Sequence, residues 1–123
     1  MKRLIKLNYH SVFKYEHDQE SFKYNDVAYL EEKDERTVIS FDQVKIVLKD
    51  NEVILHNANG ILRLKQGSEI LNHYQVPYGT LELKTRLISY ETGDSIKIKY
   101  ELYDGINLLS RVYILIKYQI LEN

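Results

Sequence analysis

An alternation of apolar and polar residues at period two runs through this 123-residue chain and restricts the fold to one built from strands. Successive side chains of a strand point to opposite faces, so alternation marks one face for the core and one for water. The opening segment sets Ile5, Leu7, Tyr9, Ser11, Phe13 and Tyr15 on one face. Lys6, Asn8, His10 and Lys14 lie on the other, with only Val12 out of pattern. Later, Leu81, Leu83, Thr85 and Leu87 alternate with Glu82, Lys84 and Arg86, and Ile96, Ile98, Tyr100 and Leu102 with Lys97, Lys99, Glu101 and Tyr103. The final run puts Ile106, Leu108, Ser110, Val112, Ile114, Ile116 and Tyr118 inside. Its opposite face carries Leu109, Tyr113 and Leu115 beside Arg111 and Lys117, too apolar for bare solvent, which predicts a partial cover. No window of ten residues carries a helical stripe.

Turn signals divide these runs. Asn59-Gly60 and Asp104-Gly105 are hairpin dipeptides. Asp50-Asn51, Gly67-Ser68 and Thr92-Gly93-Asp94 also turn the chain, and Glu16 to Glu20 reads as a polar turn. The charged run Glu31 to Arg36 reads as a solvated loop or a single helical turn. Residues 37–48 carry two competing stripes, Val38, Val44, Ile46 and Leu48 against Ile39 and Phe41. A bulge near Asp42-Gln43 would let both face inward. The sum is eight to ten short strands at hairpin spacing, which means a sandwich or a barrel. A barrel is favoured because it leaves no edges, and these strands carry little edge protection. The expectation is a single all-β domain over residues 1–123, an antiparallel β-barrel with little or no helix. Size scaling gives a compact chain of this mass about 6,900 Å² of exposed surface.

Composition narrows the chemistry. Tyr occurs 11 times, Phe 3 times, Pro once and Trp never, a palette suited to half-buried pleated surfaces. The absence of Cys removes disulfides, thiolate metal sites and Cys nucleophiles together. With 17 basic and 18 acidic residues the chain lacks the excess of positive charge that nucleic-acid binders carry. Met1-Lys2-Arg3 is followed by no signal-peptide apolar stretch, and no run reaches the length of a membrane span. The expectation is a soluble, cytoplasmic protein with no membrane partner.

The segment Gly67 to Thr85 is the most distinctive. It holds Tyr74, then Pro77-Tyr78-Gly79, then Leu81, Leu83 and Thr85, and leads into a strand with Tyr100 and Leu102 before Gly105. Together with Tyr29-Leu30-Glu31-Glu32, this pattern resembles the YwiB-like family of small bacterial proteins of unknown function. The resemblance implies a calycin-like (lipocalin-like) antiparallel β-barrel and brings no chemistry with it. Within the segment, Tyr74, Pro77, Tyr78 and Gly79 read as a structural corner that starts a strand. Val76 is pushed to extended geometry by the proline, and Gly79 supplies a dihedral or a close approach that a side chain forbids.

Candidate catalytic groups are sparse. His10, His17, His56 and His73 have no metal-ligand spacing and read as solvated side chains. The carboxylates cluster in charged segments, where no pair is set up for acid–base work. Nucleophile elbows, phosphate loops and dinucleotide fingerprints are missing. No catalytic residue, metal site or cofactor is assigned, and the balance leans against an enzyme. Basic residues interleaved with Tyr90, Tyr103 and Tyr113 on outer faces resemble a single-strand nucleic-acid platform. The acids mixed among them favour cross-strand pairing instead.

The inner stripes are not uniformly large. Ser11, Thr85 and Ser110 interrupt them mid-strand, and Tyr9 and Tyr100 bring hydroxyls to the same faces. Small polar groups among apolar walls leave room and place hydrogen bonds, which is how small-molecule pockets are built. These five residues are the candidate lumen site, for a small apolar or amphipathic ligand. The alternative is a non-catalytic protein-interaction module, or a homodimer, using the outer patch of Leu109, Tyr113 and Leu115.

Overall fold

A computed structural model describes residues 2–58 and 60–121. Among them the chain forms ten strands and no helix, so no helix is long and apolar enough to cross a membrane. The strands are β1 (Lys2–Lys14), β2 (Gln19–Lys33), β3 (Arg36–Phe41), β4 (Val44–Leu48), β5 (Glu52–Asn57), β6 (Gly60–Lys65), β7 (Glu69–Val76), β8 (Gly79–Glu91), β9 (Ile96–Asp104) and β10 (Asn107–Ile120). They make one antiparallel sheet in the order β6-β5-β4-β3-β2-β1-β10-β9-β8-β7. Each strand pairs with its sequence neighbours except across β6 and β7, and β1 pairs with β10 from Ile5 opposite Ile120 to Lys14 opposite Arg111. The connectivity is up-and-down. The sheet curls into a nearly closed barrel whose two edges, β6 and β7, meet without a regular ladder.

The alternation sets the inner faces. Ile5, Leu7, Leu30, Ile39, Ile46, Val53, Leu64, Ile98, Val112 and Ile116 are buried in one cluster to which most strands contribute. Full burial of an aliphatic side chain contributes about 1.5–3 kcal/mol, so this cluster is the main source of stability. It fills only one end of the barrel. Strands β3 to β6 are short, whereas β1, β2, β8 and β10 run on past them. Residues Gln19 to Ala28 of β2 pair with β1 alone, because β3 begins its pairing at Tyr29 opposite Ser40. Side chains cap part of that bare edge. The Tyr24 hydroxyl donates to the Val27 carbonyl at 2.6 Å, and the Val27 amide donates to Asp26 Oδ1 at 2.7 Å. The overhang raises the exposed surface to 8210 Å², above the figure of about 6,900 Å² for a compact chain.

Five sequence expectations are corrected. The charged run from Glu31 to Arg36 is strand and hairpin, not loop or helical turn. Lys33 pairs with Arg36 around Asp34 and Glu35, whose φ angles are 53° and 61°, the geometry of a type I′ turn. Asp42-Gln43 is a second two-residue turn, with Phe41 opposite Val44, and not a bulge. A reversal rather than an inserted residue resolves the competing stripes, since each arm of a hairpin has its own parity. The bulges lie elsewhere, between Leu108 and Ser110 in β10 and between Leu87 and Ser89 in β8. The first leaves Leu108 opposite outward Tyr103 while Ser110 faces inward opposite Leu102. The second turns Tyr90 onto the core, away from the outer cations. The last hairpin turns one residue later than expected, at Gly105-Ile106, and Ile106 is 93% exposed instead of starting the inner stripe. The β5–β6 hairpin closes with Asn57 opposite Gly60; Asn59 lies outside the described residues.

Candidate functional site

Beyond the packed end, the same strands line an open-mouthed cavity of 460 Å³. Along β1 the inner residues change from Ile5 and Leu7 in the core to Tyr9, Ser11 and Phe13 in the cavity wall. Along β9 they change from Ile96 and Ile98 to Tyr100 and Leu102. The apolar wall includes Leu55, Leu62, Leu83 and Ile114, and Tyr15, Phe22 and Leu109 stand exposed at the mouth. An aromatic chain supports one side. Tyr9 meets Phe22 edge-on at 6.0 Å and Phe41 at 5.3 Å, and Phe41 stacks on Tyr24 at 4.3 Å.

Four of the five sequence-expected lumen residues, Tyr9, Ser11, Tyr100 and Ser110, line this one cavity. Their polar groups differ in state. Tyr9 hydrogen-bonds with Ser11, and burial lifts its phenol above the ordinary tyrosine range. Burial lifts Tyr100 much further, and the nearby phenols of Tyr9, Tyr74 and Tyr15 add to it, so Tyr100 is neutral at any physiological pH. Ser110 is 2% exposed, and its hydroxyl has no hydrogen-bond partner among the described residues. A buried orphan hydroxyl costs about 1–3 kcal/mol. The bulge at Leu109 puts it there, in keeping with the tendency of bulges to sit beside functional sites.

Thr85 is not in the cavity wall. It is 1% exposed and holds the β6–β7 seam shut together with Asn72 of β7, a residue that the sequence reading missed. The Thr85 hydroxyl donates to the Arg63 carbonyl of β6 at 2.5 Å. Asn72 Oδ1 accepts the Arg63 amide at 2.9 Å, and Asn72 Nδ2 donates to Thr85 Oγ1 at 3.2 Å. One asparagine and one threonine thus replace the backbone ladder that β6 and β7 do not form, and their hydroxyl and amide are spent on that. The signal for Asn72 was present: it is the one polar residue in the inward series Ile70, Asn72, Tyr74 and Val76.

The corner residues divide. Pro77 and Tyr78 form the two-residue turn between Val76 and Gly79, with Tyr78 98% exposed. Gly79 opens β8 at φ 135°, with open space where a Cβ would stand. Tyr74 is mid-strand in β7, not at the turn, and lines the cavity. Its hydroxyl donates to Asn57 Oδ1 across the seam at 2.7 Å, and its ring packs on Gly60. Among the histidines, His73 is exposed opposite Glu82, and His17 is exposed beside Glu16. His56, expected in solvent, is half-buried and borders the cavity. Burial, with Lys45 and Arg63 nearby, holds it below the usual histidine range and therefore neutral near pH 7.

On the outer face the interleaved charges and rings pair with each other. Lys14 and Lys99 lie over the Tyr113 ring at 5.1 and 5.3 Å, and Lys84 over Tyr103 at 5.2 Å. Tyr103 donates to Glu101, which also meets Arg111 at 3.3 Å. On the apolar outer face of β10 two lysine ammonium groups thus cover one residue, Tyr113. Leu109 borders the lumen mouth, so it does not join Tyr113 and Leu115 in one outer patch.

Fold and site together define a small up-and-down barrel, packed at one end and hollow, with uncharged walls, at the other. Residues 3–116 match the family model described as a domain of unknown function, DUF1934, and the chain belongs to that family. It is similar to the crystal structure of the ywiB protein from Bacillus subtilis, with a TM-score of 0.75 and 22% identity over 96% of this chain and 93% of that one. At that identity the likeness speaks for the fold alone. No curated protein matches the chain.

Proposed function

We propose that this protein binds a small apolar or amphipathic molecule in the barrel lumen, as a non-catalytic carrier or sensor of the cytoplasm. The observation that carries this reading is the 460 Å³ cavity with its mostly apolar wall, Leu55, Leu62, Leu83, Leu102 and Ile114 among the residues that form it. Pockets for small molecules generally run from about 300 to 1,000 Å³, mostly apolar with a few placed polar groups. The cavity has that size and make-up. The calycin-like kinship implied by the sequence pattern agrees with it, since such barrels have a lumen. Cysteine-free composition and balanced charge fit a reducing compartment.

Thermal unfolding with a panel of small apolar and amphipathic compounds tests the reading. A ligand present at a hundred times its dissociation constant adds about 2.7 kcal/mol of stability, a clear rise in Tm. Ser110→Leu, which fills the lumen from its own wall, should remove the rise while the barrel still folds by circular dichroism. A panel without any shift, or shifts that survive Ser110→Leu, would count against lumen binding.

A further inference from the structure

Charge is not spread evenly over the outside of the barrel. The whole chain balances 17 basic against 18 acidic residues, and acids and bases are mixed along the strands. The strand register sorts them. Outward side chains of β1, β2, β9 and β10 bring six lysines onto one face: Lys6 and Lys14, Lys23, Lys97 and Lys99, and Lys117. The acids of the same stretch are Glu91, opposite Lys97 at its margin, and Glu101, which stands between Arg86 and Arg111 and pairs with the latter at 3.3 Å. Among the described residues none of the six lysines has a carboxylate partner. The bridges Arg3–Glu32, Lys49–Glu52 and Lys84–Glu69 all lie outside this stretch.

Self-repulsion among like charges destabilises a compact chain, so the arrangement does not serve stability, and a polyanion would relieve it. The lysines also frame an apolar strip. Val12 of β1 stands opposite Tyr113 of β10, and Leu115 lies two residues on, between His10 and Lys97. All three are half-buried, and Lys14 and Lys99 reach over the Tyr113 ring from either neighbouring strand. Two shallow grooves meet along this strip. One, of 370 Å³, runs past His10, Lys97, Lys99 and Tyr113; the other, of 330 Å³, past His10, Lys23, Leu115 and Lys117.

We infer that this face binds single-stranded nucleic acid, with phosphates on the lysines and bases on the strip of Val12, Tyr113 and Leu115. A single strand offers both anionic groups and flat apolar faces, and such strands are held by cations and rings together. A duplex hides its bases, and a polyanion without bases would leave the strip bare. A membrane-binding face instead needs apolar side chains that enter the lipid, whereas here the strip sits half-buried between the lysines. An exposed cation–π contact is weaker than base stacking, so an incoming base can take the ring while the lysines turn to phosphates. The face is on the outside of the barrel, so its binding does not depend on the lumen.

Fluorescence anisotropy of the full chain with a labelled dodecathymidylate tests this. Binding at 50 mM salt should weaken steeply toward 200 mM, with a log–log slope of about −4 if all six lysines take a phosphate. Lys14→Gln, Lys97→Gln and Lys117→Gln combined should weaken binding at least tenfold and make the slope shallower by about 2. The triple variant should melt no lower than the parent, since it removes like charges. Lys45→Gln with Lys65→Gln, exposed on β4 and β6 across the barrel, should leave binding unchanged. Tyr113→Leu should weaken the oligonucleotide severalfold and leave a twelve-unit polyphosphate unmoved. No binding at 50 mM salt would overturn the inference, and equal losses in the two sets of lysine variants would overturn its place on this face. Polyphosphate competing as well as the oligonucleotide would overturn the role of the bases. Binding to phosphatidylglycerol vesicles with none to the oligonucleotide would overturn it in favour of a membrane surface.

Discussion

At the scale of single residues, two glycines at strand starts look alike in sequence and differ in what holds them. Gly79 has φ 135° and open space around the position of a Cβ. Gly60 has φ 148°, and a Cβ there would stand 3.3 Å from the Tyr74 ring. The first position requires only a backbone conformation that side chains disfavour, while the second also lets the ring close the seam. Ala at a positive φ costs about 1 kcal/mol or more. Gly79→Ala should therefore cost about that much, and Gly60→Ala more, because the Tyr74 ring and its bond to Asn57 must shift as well. Urea denaturation orders the two, and equal losses would mean the ring contact carries no weight. Legibility divides the same way: the sequence marked Gly79 by its place after Pro77-Tyr78, whereas nothing near Gly60 announces a ring from β7.

At the scale of elements, what the sequence reveals is parity, and what it hides is where parity resets. The inner stripes of β1 and β9 stand where alternation puts them, since each is one unbroken strand. The errors all fall where the chain reverses or bulges: at Asp34-Glu35, at Asp42-Gln43, at Gly105-Ile106 and at the bulges that turn Tyr90 and Leu108 over. Asp34, Glu35 and Asp42 take positive φ without being glycine, so the usual marker of such turns is missing from the sequence there. The candidate site was legible for the same reason as the strands. Small polar residues on inward phases singled out Ser11, Thr85 and Ser110 alike, and the structure puts Ser11 and Ser110 among the residues around the cavity and Thr85 in the seam, a division that alternation cannot make. The partner of Thr85 gives the second prediction. Asn72→Ala leaves the part-buried Arg63 amide without its acceptor, and Thr85→Val leaves the Arg63 carbonyl without its donor. Each should cost about 1–3 kcal/mol. Because the two side chains also bond to each other, the double variant should lose less than the sum of the single ones. Strict additivity in a double-mutant cycle would show that the seam does not work as a unit.

At the scale of the whole molecule, the barrel is divided along its axis, with a dense cluster at one end providing stability and a hollow at the other free to serve binding. The hollow has its own signature in the dependence of stability on pH. Burial holds Tyr9 and Tyr100 above the ordinary tyrosine value, near 10 in an unfolded chain. Between that value and the native ones, the unfolded chain has released these protons and the native barrel still binds them. The native state then holds more protons than the unfolded state, so the slope of unfolding free energy with pH is negative. Stability from these groups is complete below about pH 10, and it is lost as pH rises through that value toward the native ones. The urea midpoint should therefore hold steady from pH 7 to 9 and fall steeply above 10. Tyr100→Phe removes the group with the larger shift, so its midpoint should fall less steeply over the same interval, whatever the variant's stability at pH 8. Equal alkaline slopes for the two proteins would mean that Tyr100 is solvated in solution and that the cavity is wetter than its walls imply.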